Sequence, residues 1–258
     1  MRVAVYQGPE GSRSLEENLA AIEAAVAAAA AQGADLVITP EMSTTGYNVS
    51  DAYASTAEES GGPIGQRLAA LCREHGVALV YGYPERADGT IYNTATALDA
   101  HGTELVRYRK THLFGSFETK HFTPADDLVV QFDLDGIRCG IVVCYDVEFP
   151  EVVRAHAVAG TQLLIVPTAL MTPFDFVADK VVPVRAYENE LCVIYANRCG
   201  QEGNLTYVGG SCVIASDGAE LARAGRDEEV LLADISEAAL VAGHKLNTYL
   251  RDRRLDLY

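Results

Sequence analysis

No segment of this 258-residue sequence is apolar for long enough to cross a bilayer. The longest candidate, the alanine stretch at 24–31, has polar residues on both sides. The amino terminus, MRVAVYQGPEG, lacks a signal-peptide core, because polar residues and glycine interrupt it within eight positions. A cytoplasmic protein is expected. Positive charge is scarce too: 20 Lys and Arg stand against 36 Asp and Glu, a formal net charge of −16. Such a surface repels nucleic acid and anionic membranes, so neither is an expected partner.

Paired cysteine motifs are also missing. The six cysteines include no CxxC pair, and Cys139, Cys144, Cys192 and Cys212 sit in or beside apolar, strand-like runs. A reduced chain follows, in which a free cysteine is ordinarily a small buried apolar side chain. There is no GxxxxGK[ST], no GxGxxG after a strand, no GxSxG and no HExxH. The turn Gly8-Pro9-Glu10-Gly11 matches no phosphate loop, and the histidines show no paired spacing. Neither a metal nor a cofactor is expected.

What the sequence does contain is a long alternation of short apolar strands with helical segments, in a chain that is 49% hydrophobic. Strands are expected at 3–7, 36–39 and 77–83, the last ending at Pro84. Ser14 and Glu17 form a capping box for a helix over 14–32, stopped by Gly33. A second helix spans 64–75. Antiparallel pairs are expected at 93–98 with 104–108, and at 128–132 with 137–143. Pro150 opens a helix over 151–159, a strand follows at 163–166, and a helix at 179–189. Strands at 191–196, 210–215 and 229–234, a helix at 236–241 and a polar tail complete the chain. No linker or repeat divides the series. One α/β domain over 1–258 is expected, with mixed sheets covered by helices.

Three polar residues each follow directly on an apolar strand: Glu41 after Pro40, Lys110 after Arg109, and Cys144 after Val143. In α/β folds the carboxyl ends of strands open onto the ligand crevice. A glutamate paired with a lysine is ordinarily a surface salt bridge, and each residue alone says little. Together they form a chemical set. A thiol attacking an amide or nitrile carbon needs a base, which a carboxylate of raised pKa provides. The negative oxygen that results needs a cation and backbone N–H groups. No histidine is required.

The segments TPEMSTTGY (39–47), YRKTHLFGSFE (108–118) and VVCYDVEFPE (142–151) resemble the three catalytic motifs of the nitrilase superfamily of carbon–nitrogen hydrolases. VPTALM (166–171), VRAYENELCVIYANRCG (184–200) and YLRDRRLDLY (249–258) extend the similarity along the chain. The wording around Lys110 and Cys144 is most similar to the bacterial aliphatic and R-stereoselective amidases. The resemblance implies a four-layer αββα sandwich that forms a homodimer or higher even-numbered assembly through helices, with the tail at 244–258 reaching across. It implies hydrolysis of small carboxamides to acid and ammonia through a cysteine thioester. In that scheme Cys144 is the nucleophile, Glu41 the general base and Lys110 the stabiliser of the tetrahedral intermediate. Glu118, in a loop, positions the substrate amide and supports Lys110. The Tyr145 backbone N–H serves the oxyanion, and Tyr47 lines the pocket.

Neighbouring residues receive plainer roles. Asp146 and Glu148 are expected to hold the turn after Cys144 and the start of the next helix; Arg185, Glu188 and Asn189 to form a buried polar network; and His112 to give structural support. An ω-amidase acting on 2-oxo dicarboxylic monoamides would use the same catalytic set. It would need a group for the distal carboxylate, for which Lys120 and His121 are candidates. Nitrilase and N-carbamoyl hydrolase activities share the set as well.

Overall fold

The computed structural model describes residues 1–49 and 52–257. In chain order the elements are β1 (Arg2–Gln7), α1 (Leu15–Ala31), β2 (Leu36–Ile38), α2 (Tyr53–Thr56), α3 (Pro63–His75), β3 (Ala78–Ala87), β4 (Thr90–Leu98) and β5 (Glu104–Arg109). Then come α4 (Gly115–His121), β6 (Val130–Leu134), β7 (Ile137–Ile141), a 3-10 turn at Cys144–Glu148, α5 (Pro150–Val158) and β8 (Leu163–Pro167). A π-helical turn (Val177–Val181) leads into α6 (Val182–Asn189), β9 (Cys192–Ala196), β10 (Gln201–Glu202), β11 (Leu205–Thr206) and β12 (Cys212–Ile214). Last are β13 (Glu220–Arg223), β14 (Glu229–Asp234), α7 (Glu237–Leu246) and α8 (Tyr249–Asp252).

Two six-stranded mixed sheets result, in the orders β14-β1-β2-β3-β4-β5 and β13-β12-β9-β8-β7-β6. In each, three parallel strands are flanked by antiparallel ones. Period-two alternation explains how the sheets stack, because successive side chains of a strand point to opposite faces. Val3, Val5, Leu36, Ile38, Ala78 and Val80 join Cys139, Ile141, Leu163 and Ile165 in one core between the sheets. The alternate residues Ala4, Tyr6, Val37, Leu79 and Tyr81 meet α1 and α3 on the other face through Leu19, Ile22, Val26 and Leu68. On the far side, Val152 and Val153 of α5 and Ala186 of α6 cover the second sheet. Burial of each such aliphatic side chain contributes about 2 kcal/mol. The layers are α, β, β, α, as the resemblance implied.

Local signals read from the sequence recur in these elements. Ser14 Oγ accepts from Glu17 N–H at 3.3 Å, while Glu17 Oε2 accepts from Ser14 N–H at 2.8 Å, closing the capping box of α1. All six cysteines are unpaired. Among the described residues no helix is long and apolar enough to cross a membrane.

Three expectations need correction. The strand expected to end at Pro84 continues to Ala87. Proline is tolerated there because β2 ends at Ile38, so no neighbouring strand needs its missing N–H on that edge; the Pro84 carbonyl instead accepts from Glu58 N–H at 3.2 Å. The stretch holding Glu118 is a short helix, α4, rather than a loop. The helix expected over 236–241 runs to Leu246, so the tail boundary at 244 falls inside α7. The remainder of that tail turns back onto its own chain: Tyr249 meets Tyr187 edge-on at 6.0 Å, and Glu190 accepts from Leu250 N–H and His244 Nδ1. Tyr258 lies outside the described residues.

Candidate active site

Glu41 sits just beyond the end of β2, at the centre of the first sheet, and the chain after it is tightly placed. Gly82 of β3 comes so close that a Cβ there would lie 2.6 Å from Met42 N and 2.8 Å from the Pro40 carbonyl. The Gly82 carbonyl accepts from the Thr44 backbone N–H and from the hydroxyls of Ser43 and Thr44. Met42 takes a positive φ of 52°. This anchoring aims the Glu41 side chain into a buried space, where its Oε1 accepts from Asn93 Nδ2 at 2.6 Å and from Lys110 Nζ at 2.8 Å. Its Oε2 has no hydrogen-bond partner among the described residues.

Lys110 follows β5, and its Nζ also donates to Glu118 Oε1 at 2.7 Å. Both ion pairs are fully buried. Glu118 is held from three directions, because Tyr47 OH donates to Oε1 at 2.7 Å and Phe114 N–H donates to Oε2 at 2.8 Å. The segment after β5 thus delivers a cation and, from the short helix α4, a carboxylate to the same place. Tyr47 does more than line a wall: its hydroxyl belongs to this line of charges.

Cys144 begins the 3-10 turn beyond β7, with a φ of +50°. A side-chain-bearing residue in that region is strained and persists only where its surroundings hold it. Asp146 does the holding. Its carboxylate accepts from Val143 N–H, from Tyr108 and Thr111 hydroxyls, and from His112 through both the backbone N–H and Nδ1. It therefore ties the turn bearing Cys144 to the strand end bearing Lys110. His112 stacks on Phe149 at 4.1 Å, a supporting role as expected. Arg185 fixes the back of the turn, donating to the Val147 and Glu148 carbonyls and to the Glu188 carboxylate.

Burial sets the protonation states. It holds the Cys144 thiol well above its ordinary pKa; Glu41 adds to that shift and Lys110 opposes it. Burial raises Glu41 as well, against the pull of Lys110. For Lys110, burial favours loss of the proton, but Glu118 and Glu41 outweigh it and keep the ammonium charged. The site thus brings together the Cys144 thiol, a carboxyl group with one unengaged oxygen and a cation.

Cys144 opens onto a cavity of about 200 Å³. Its walls include Phe114, Tyr145, Leu170, Met171 and Phe174, with Tyr47 at one side and, among the described residues, Glu148 as the one charged side chain of the wall. Lys120 is exposed and His121 packs on Tyr53 and Phe117, so neither candidate for a distal carboxylate lines this cavity. A larger groove beside Pro150 and Arg154 contains no cysteine.

A family model for carbon-nitrogen hydrolases matches residues 2–243. The chain belongs to the carbon-nitrogen hydrolase family. It is 44% identical to "Hydrolase in pqqF 5'region" of Pseudomonas protegens, covering 100% of this chain and 90% of that protein. It is 35% identical to an (R)-stereoselective amidase of a Pseudomonas species, over 86% of this chain and 81% of the relative. Among solved structures it is similar to the amidase of Nesterenkonia sp. AN1, at 36% identity and a TM-score of 0.90, covering 100% of this chain and 98% of the other. That structure is a glutamate-to-glutamine mutant showing Michael addition of acrylamide at the active-site cysteine. The superfamily and the sandwich inferred from the motifs both stand.

In this carbon-nitrogen hydrolase, sequence reasoning missed three residues of the site. Asn93 was legible only as the start of a strand, although a buried asparagine there must find partners. Arg198 and Glu202 lie wholly buried and 3.6 Å apart. Glu202 accepts from the Tyr47 and Asn48 N–H groups and from Tyr207 OH, while Arg198 reaches the Met42 carbonyl. Gly46, at φ +93°, makes room, since a Cβ there would lie 2.4 Å from Glu202 Oε1. This pair shapes the loop between Glu41 and Tyr47 from more than 150 residues away in sequence, a separation no local pattern reveals.

Proposed function

We propose that this protein is an amidase that hydrolyses short carboxamides to the carboxylic acid and ammonia through a thioester on Cys144. The observation that carries the reading is the buried Glu41 with Oε1 fixed by Asn93 and Lys110 and Oε2 unengaged, in the same site as the Cys144 thiol. In the proposed sequence Glu41 Oε2 takes the thiol proton as Sγ bonds to the carbonyl carbon. The oxygen becomes negative and is stabilised by the Lys110 ammonium and the Tyr145 backbone N–H. Glu41 returns the proton to the amide nitrogen, the C–N bond breaks and ammonia leaves. Water then attacks the thioester, Glu41 takes its proton, and cleavage of the S–C bond releases the acid and restores the thiol. Glu118 holds Lys110 and Tyr47 in place and orients the amide.

A cavity of about 200 Å³ with apolar walls favours short, uncharged acyl chains, being smaller than the roughly 300–1,000 Å³ of drug-sized ligand pockets. The (R)-stereoselective amidase and the Nesterenkonia amidase support amide substrates, while relatives named nitrilase keep nitriles in the test. The ω-amidase alternative loses support, because no side-chain cation lines the cavity to receive a second carboxylate. The test is an ammonia-release screen over C2–C5 aliphatic amides, 2-oxoglutaramate, nitriles and carbamoyl compounds, with intact-mass detection of the acyl enzyme. Short amides are expected to give both ammonia and a mass increase equal to the acyl group on Cys144. Turnover confined to nitriles or carbamoyl compounds would overturn the reading.

We also propose a homodimer, or a higher even-numbered assembly, built on α5, α6 and the tail. Val158, Val184, Leu246, Tyr249, Leu255 and Leu257 are exposed apolar side chains on these elements, and their burial against a second copy would remove them from water. Sedimentation at micromolar concentration is expected to show an even-numbered species, weakened by deletion of residues 253–258. A purely monomeric wild-type profile would refute the assembly.

A further inference from the structure

Glu148 was expected to help hold the turn after Cys144 and the start of the next helix, but its carboxylate makes no hydrogen bond to either among the described residues. The turn is held by Asp146 and by Arg185, and what Arg185 takes from Glu148 is the backbone carbonyl, at 2.7 Å. The Arg185 guanidinium is further committed to the Val147 carbonyl and the Glu188 carboxylate. The Glu148 carboxylate accepts no hydrogen bond from any described residue, and it forms part of the cavity wall beside Cys144. Among the described residues the other side chains of the cavity wall are uncharged, and the charges of Lys110, Glu41 and Glu118 are committed to one another. A half-buried carboxylate without a donor is costly, and a substrate that brings a donor relieves that cost.

We propose that Glu148 sets the charge preference of the acyl group, favouring amides that carry an ammonium near the carbonyl, such as amino-acid amides, and rejecting those that carry a carboxylate. Within so small a cavity a substituent one or two atoms from the scissile carbonyl cannot avoid the Glu148 wall. An ammonium there supplies the missing donor and a compensating charge; a carboxylate meets repulsion, with the nearby Lys110 ammonium already committed to Glu41 and Glu118. Burial already pushes the Glu148 carboxyl up, against the pull of Lys110 and Arg185, so its ionised form lacks stabilisation that a cationic substrate would add. The inference rests on the amidase reading above and deepens it.

The test compares kcat/KM at pH 7 for three amides of similar size: alaninamide with an ammonium, isobutyramide as its neutral isostere, and succinamate with a carboxylate. The wild-type enzyme is expected to favour alaninamide over isobutyramide, and Glu148→Gln to lower that ratio by about tenfold while raising succinamate relative to isobutyramide. An unchanged set of ratios, or an equal fall for all three amides, would overturn the proposal. A second measurement needs no turnover: the relative rates at which iodoacetate and iodoacetamide alkylate Cys144. The anionic reagent is expected to be disfavoured in the wild type beyond its handicap with a free thiol, and less so in Glu148→Gln and Glu148→Ala. Equal discrimination in wild type and variants would again overturn it. If no amide is turned over, the amidase reading fails, and the alkylation comparison still decides the role of Glu148.

Discussion

Replacing Cys144 by alanine is expected to lower amide turnover by on the order of 10⁴-fold or more, since loss of a nucleophile leaves only binding and oxyanion stabilisation. The fold should tolerate the change. Alanine meets the same penalty at φ +50° as cysteine does, and the turn is held by Asp146 and Arg185 rather than by the sulfur. Unfolding free energy should therefore stay within about 1 kcal/mol of wild type. Cys139→Ala and Cys192→Ala provide the contrast. Both thiols lie within strands, fully buried and away from the cavity, and burial pushes each up to about 12. Those variants should lose some stability and keep their turnover. Near-wild-type ammonia release by Cys144→Ala would mean that the thioester route is wrong.

Glu41 and Glu118 flank the same ammonium, yet their amide isosteres should fail differently. In Glu41→Gln the amide oxygen can keep the place of Oε1, accepting from Asn93 and Lys110, and the NH₂ then takes the place of the unengaged oxygen. That group cannot accept a proton. Turnover is expected to fall on the order of 10³-fold, within the span of general-base catalysis. Uptake of an activated electrophile by Cys144 should fall less than turnover, because addition to an activated alkene expels no amine that needs a proton. In Glu118→Gln an NH₂ faces the Phe114 N–H, donor against donor, or else turns and faces Lys110 and Tyr47. Either placement shifts the start of α4 and the ammonium without removing the base. Misplacement of that kind costs on the order of 100-fold, with KM rising alongside. Steady-state kinetics on one short amide, beside acrylamide adduct formation, separates the two. A larger loss in Glu118→Gln than in Glu41→Gln would exchange their roles.

The fold was legible because its determinants are local. Alternating apolar strands, the Ser14 capping box and Pro150 at a helix start each act within a few residues, and the core between the sheets follows from that alternation. Errors came where a neighbour decided the outcome. Pro84 can lie inside a strand only because β2 stops short of it, and α4 forms where Glu118 bonds back to the backbone that opens it.

The sequence alone indicated that a cysteine, a lysine and a glutamate stand just beyond strand ends, in an order similar to one family of hydrolases, and the same resemblance singled out Glu118. Those assignments needed no coordinates, because strand ends are set by local pattern and the motifs are contiguous. Tertiary structure decided which oxygen of Glu41 is engaged, that Asn93 engages it, and that Arg198 and Glu202 brace the loop leading to Tyr47. It also decided that Glu148 faces the cavity while its neighbour Asp146 is consumed by five donors. Two acids, two residues apart in one turn, are indistinguishable by spacing. What separates them is the geometry of a partner strand and a helix that approach from elsewhere in the chain, and only packing brings those together.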